Sequence, residues 1–190
     1  MSLTSVAVLV VLFLLAAYAV ILYNGLVRLK HGLSKAWANI EVLLKQRHDE
    51  LPKLVETCKH YMQHERGTLE QVIRARNAVA SAREKGDVGA LGLAESGLRA
   101  GLGQLFALAE NYPQLKANES FQFLQQRISG LENGIADRRE LYNEAVNLNN
   151  VRIEQFPDLI IAGLFGFKAA ELLEFGEAQK ADVDLKALFG

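Results

Sequence analysis

The run Leu3–Leu22, LTSVAVLVVLFLLAAYAVIL, decides how the rest of the chain is read. It carries no charge, and at about 1.5 Å per residue it reaches roughly 30 Å, the thickness of a hydrocarbon core. Ser2, Thr4 and Ser5 are the polar residues at its start, and each hydroxyl can return a hydrogen bond to the helix backbone. Tyr18 and Tyr23 stand near its exit, where an apolar ring with a polar tip suits the headgroup zone. Three rival readings fare worse. Ala17-Tyr18-Ala19 is a passable signal-peptidase site, but Met1-Ser2 is no basic leader and the apolar run exceeds the usual ~7–15 residues. No cysteine ends the run to accept a lipid, and a soluble core helix would keep one polar face. The run is therefore expected to be an uncleaved transmembrane anchor, with residues 3–22 in lipid.

Arg28, Lys30, Lys35 and Lys45 follow the anchor closely. Positive residues are retained in the cytoplasm, so the expectation is a short external N-terminus and a cytoplasmic body. The remaining ~165 residues suit one domain. A net charge of −1, with both signs alternating along the chain, offers no field for nucleic acid. Cys58 is the single cysteine; it has no internal disulfide partner and falls in an apolar row. No β-alternating run of useful length is present, and the three prolines punctuate a chain of helix formers. The body is expected to be all-α.

Leu26, Leu29, Leu33, Ala36, Ile40 and Leu43 recur at steps of three and four, so the anchor is expected to run on into the first body helix. At His48–Pro52 that helix is expected to end or kink, with Asp49 placed to cap a new start. A second helix then carries Leu54, Val55, Cys58, Met62, Leu69, Val72, Arg76 and Val79 to Lys85, closed by Gly86-Asp87. The third, Val88–Tyr112, holds Gly89, Gly92, Gly97, Gly101 and Gly103, read as sites of close backbone approach to a neighbour. The fourth, Glu119–Gln155, repeats Phe121, Leu124, Ile128, Leu131, Ile135, Arg138, Tyr142, Ala145 and Asn149. Arg138 and Asn149 are polar members of that seam, so each is expected to meet a partner across the helices.

Phe156–Phe167, FPDLIIAGLFGF, spans about 18 Å as a helix, too short for a bilayer yet too apolar for a free surface. Four antiparallel passes would bring it back to the membrane; three, with Pro52 as a kink only, would leave it far from lipid. The tail from Glu177 adds Val183, Leu185, Leu188 and Phe189 as docking residues. The organisation expected is thus an anchor over 1–24, an antiparallel helical bundle over 25–155, and an apolar segment with an amphipathic tail over 156–190.

These landmarks resemble the LemA family of bacterial membrane proteins. The matching residues are Tyr23-Asn24-Gly25-Leu26-Val27, Ala36-Trp37, Ile40, Leu44-Lys45, Arg47, Asp49, Pro52, Tyr61 and His64-Glu65. They continue with Ala109 to Asn118, Glu132-Asn133, Ile135-Ala136, Arg139, Tyr142-Asn143, Phe156-Pro157 and Phe165-Gly166-Phe167. The resemblance implies an N-terminal membrane helix followed by an up-and-down four-helix bundle in the bacterial inner membrane. It supplies no enzyme activity, and the glycine-rich third helix departs from it.

Residue chemistry adds little to that. His60 and His64 share a helical face at a zinc-compatible spacing, but the third ligand and the glutamate of an H-E-x-x-H site are missing. No E-x-x-H pair exists for a di-iron bundle, and no nucleophile–base pair or phosphate loop is legible. The amides from Tyr142-Asn143 to Asn149-Asn150 are expected to satisfy one another across the bundle or the Asn111–Asn118 connection. No metal, cofactor or catalytic residue is therefore expected. The expected role is a non-enzymatic scaffold, self-associating or joined to a membrane protein through Phe156, Leu159, Ile160, Leu164, Phe165 and Phe167. The alternative is a membrane-surface module using the same segment.

Overall fold

The computed structural model of the chain describes residues 2–176. Six helices and no strand occur among them: α1 Leu3–Tyr61, α2 Arg66–Lys85, α3 Val88–Ala109, α4 Pro113–Lys116, α5 Glu119–Glu154 and α6 Asp158–Phe165. Contacts group the described residues into two compact units, one of 2–39 with 140–171 and one of 40–139 with 172–176. They are called the anchor unit and the body unit below. The tail residues Val183, Leu185, Leu188 and Phe189 lie outside the described residues.

Of the two outcomes expected at His48–Pro52, an end or a kink, the end does not occur: α1 runs through Pro52 to Tyr61. Proline lacks the N–H that would bond the carbonyl four residues back, which orphans His48 O. Arg76 of α2 fills the vacancy, donating from Nε to that carbonyl at 3.0 Å. Its Nη2 also donates to His48 Nε2 at 2.6 Å. The reversal falls at Met62–Glu65 instead, so Leu54, Val55 and Cys58 belong to α1 rather than to a second helix.

In the body unit Leu44, Leu51, Leu54, Cys58, Leu91, Leu98, Leu105, Phe121 and Ile128 are buried. Burial pushes the Cys58 thiol up to about 12, so it stays protonated and inert. The α2–α3 hairpin closes as its residues dictate: Gly86 takes a left-handed φ of 66°, and Asp87 Oδ1 accepts the Ala90 N–H at 2.8 Å. Asn118 caps α5 in the same way, accepting the Phe121 N–H at 3.0 Å. It also donates to the Tyr61 hydroxyl at 3.1 Å, while Tyr112 donates to Glu65 at 3.3 Å.

Of the α3 glycines, Gly92 alone meets the expectation of close backbone approach. A Cβ there would lie 1.9 Å from the Glu174 carbonyl oxygen, so the neighbour is the chain after α6 and not another helix. Gly101 leaves ordinary contact with Val72, and Gly97 and Gly103 face open space.

Along α5 the buried row is Phe121, Leu124, Ile128, Leu131, Ile135, Tyr142, Val146, Asn149 and Ile153. Arg138 is exposed, contrary to expectation, and Val146 takes the place assigned to Ala145. A true helix turns every 3.6 residues rather than 3.5, so a stripe held over many turns slides by one residue. Arg139 is the half-buried member, its guanidinium 4.1 Å from the Phe175 ring centre.

Candidate functional site

The residues expected to carry interactions converge in the anchor unit. Leu22 and Leu26 of α1 pack with Ile153 of α5 and with Ile161 and Ala162 of α6; Ala19 and Phe167 flank this core. Each fully buried branched side chain contributes about 1.5–3 kcal/mol, so α6 is held firmly at the exit of the apolar run. The chain turns into α6 through Phe156-Pro157, whose peptide bond is cis. Arg152 then fixes the new start, its Nε 2.7 Å from the buried Asp158 carboxylate. Gly166 stops α6 with a left-handed φ of 69°.

This seating leaves one side of α6 uncovered. Phe156 is 80% exposed, and Leu159, Ile160, Leu164 and Phe165 are exposed with it. Phe167 turns inward. Tyr23 joins the two elements, its ring centre 4.7 Å from Phe165 and 5.9 Å from Phe167. Tyr18 lies exposed among the apolar side chains of the run, which also face outward. The run belongs to a helix long and apolar enough to cross a membrane. Its bare surface and that of α6 are thus packed together through one small core.

The amides that stood out in the sequence clamp backbone. Asn149, buried, donates from Nδ2 to the Lys168 carbonyl at 3.1 Å. Asn150 exchanges two bonds with Ala170, each 2.9 Å, and the Tyr142 hydroxyl donates to the Glu171 carbonyl at 3.0 Å. Burial and the nearby Glu171 charge raise the Tyr142 pKa, which keeps the hydroxyl a donor. Trp37 packs tilted against Tyr142 with ring centres 5.3 Å apart. The partner of Asn149 is therefore the strap after α6 rather than a facing helix. The same strap enters the body unit at 172–176, where Leu173 and Phe175 are buried and Gly176 donates to Ser96 Oγ at 2.7 Å.

A buried charge centre in the body unit was not foreseen as a cluster. Arg47, 1% exposed, donates to Glu95, 2% exposed, at 2.5 Å and to Glu132, while Arg99 approaches Glu132 at 3.6 Å. Burial opposes the Arg47 charge, but the Glu95 and Glu132 carboxylates outweigh it and hold its pKa above the ordinary value. Burial pushes the Glu95 carboxyl above the usual carboxylate range, against the pull of Arg47. The available signal was position: Glu95 lies four residues after Leu91 and three before Leu98, squarely in an apolar stripe. His60 and His64 are both exposed, and His60 sets its ring edge-on to Tyr61, centres 5.1 Å apart.

The LemA family model matches residues 36–186. Magnetosome proteins MamQ 2 and MamQ 1 of Paramagnetospirillum magneticum are each 26% identical over 190 residues, covering 88% of this chain and 70% of theirs. Magnetosome protein MamQ of Magnetospirillum gryphiswaldense is 24% identical over 172 residues, covering 78% of this chain and 63% of its own.

Proposed function

The chain belongs to the LemA family, and from that premise we propose that it is a non-enzymatic scaffold held in the bacterial inner membrane by one helix. Arg28, Lys30 and Lys35 directly after the apolar run support a cytoplasmic body. The body is an up-and-down four-helix bundle of α1, α2, α3 and α5. Short turns at Met62–Glu65 and Gly86-Asp87 and the ties among Arg47, Glu95 and Glu132 support that arrangement.

The observation that carries the functional reading is the bare apolar side of α6, seated on Leu22 and Leu26 at the end of the run. The scaffold self-associates in the membrane plane, or joins another membrane protein, by covering Leu159, Ile160, Leu164 and Phe165. Removing the whole segment would strip Ile161 and Ala162 from a core, so exposed positions make the cleaner test. The mass of the full chain in mild detergent is expected to exceed a monomer and to fall when Leu159, Leu164 and Phe165 are changed to Ser. An unchanged mass would overturn self-association through α6.

A second reading is favoured by the ring contacts of Tyr23 with Phe165 and Phe167: the α6 strip rests in the headgroup region. In that case the protein is a monomer in detergent, and the same substitutions weaken its hold on lipid instead.

A further inference from the structure

A groove of about 480 Å³ opens at the exit of the apolar run, within the anchor unit. Tyr23, Phe165 and Phe167 form its aromatic wall, and Lys30, His31 and Lys168 rim it. Among the described residues, no aspartate or glutamate lines it. The acidic residue at the start of α6, Asp158, is already engaged by Arg152. Lys168 is held at the rim because its own carbonyl accepts from the buried Asn149. We propose that this groove binds the headgroup phosphate of an anionic phospholipid whose acyl chains lie along Leu3–Leu22.

Charge and position both select this occupant. The size lies within the range of small-ligand sites, and a headgroup with its glycerol fits such a space. Lysines beside an anionic membrane surface each strengthen binding severalfold, and two of them line one groove here. Lys30 lies about 12 Å along the helix beyond Leu22 and its side chain tilts back toward the run, so a lipid flanking that run presents its phosphate within reach of the groove. A free phosphate would use the lysines but gain nothing from the aromatic wall. The assignment rests on the anchored reading above.

The test uses the full chain in nanodiscs of phosphatidylcholine with and without phosphatidylglycerol, released into the gas phase so that retained lipids are counted by mass. Wild-type protein is expected to retain phosphatidylglycerol in preference to phosphatidylcholine. Lys30→Gln with Lys168→Gln is expected to reduce that preference on the order of tenfold. The pair Lys30→Arg and Lys168→Arg should restore it, and Lys59→Gln with Lys116→Gln should leave it unchanged. Equal retention of both lipids by wild type, or an undiminished preference in the Gln pair, would overturn the site. Displacement of the lipid by glycerol phosphate would assign the groove to free phosphate instead. Failure to enter nanodiscs at all would overturn the anchored reading itself.

Discussion

The two units solve the burial problem in opposite ways. The body unit hides its apolar residues and also takes Arg47 and Glu95 inside as an ion pair, with the half-buried Glu132 bonded to the same arginine. The anchor unit has a core of only a few side chains and turns most of its apolar surface outward. A surface of that size is left bare only where something other than water covers it. The contrast therefore separates a part whose stability is internal from a part whose surface is completed by its surroundings.

The largest expected effect probes the internal part. Arg47→Met leaves the buried Glu95 carboxylate without its cation, and breaking such a pair costs about 3–5 kcal/mol in denaturant unfolding of the detergent-solubilised chain. Adding Glu95→Leu should recover much of that loss. A double variant as weak as the single one would show that the pairing is not what holds Arg47 inside.

Next comes a matched pair of truncations. Leu54, 0% exposed, should cost about 2–5 kcal/mol on change to Ala. Leu164, 74% exposed, should cost almost nothing in the same assay while altering assembly or lipid attachment. Equal losses at both positions would erase the distinction between the units.

Smaller effects sharpen the picture of α3. Gly92→Ala drives a methyl into the Glu174 carbonyl and should destabilise by about 1–3 kcal/mol. Gly103→Ala meets open space and should stabilise by about 0.5–1 kcal/mol.

The smallest effect is in pH. Burial and the neighbouring Arg76 lower the His48 pKa from 6.5 in the folded chain. Neutral His48 is thus favoured by folding, so its stabilisation is full above pH 6.5 and is lost as pH falls through the lower folded value. His48→Gln should flatten that slope below pH 6.5.

Helix content, the long apolar N-terminal helix, the Gly86-Asp87 closure and the apolar α6 segment were all legible, because each is written in local periodicity or in a cap. What escaped depended on distant partners. Pro52 reads locally as an end or a kink, and the Arg76 bond that satisfies the orphaned His48 carbonyl as α1 continues comes from another helix. Arg138 was misassigned because a strict heptad ignores the slow drift of a real helix. The strap held by Asn149, Asn150 and Tyr142 has no periodicity of its own, so nothing in its sequence marks where those amides point. Glu95 was visible only as a charge in an apolar stripe, and its meaning required Arg47 on another helix.

The central claim is that the bare side of α6 is covered in the membrane. It is tested most directly by thiol labelling of Leu164→Cys in membrane fragments open on both faces, using a membrane-impermeant maleimide. Native Cys58 is buried and protonated, so the background is silent. Leu164→Cys should label far more slowly than the exposed control Glu144→Cys, and unfolding the protein in denaturant should remove the difference. Equal, rapid labelling in intact membranes would mean that α6 stands open to water, and would contradict the account.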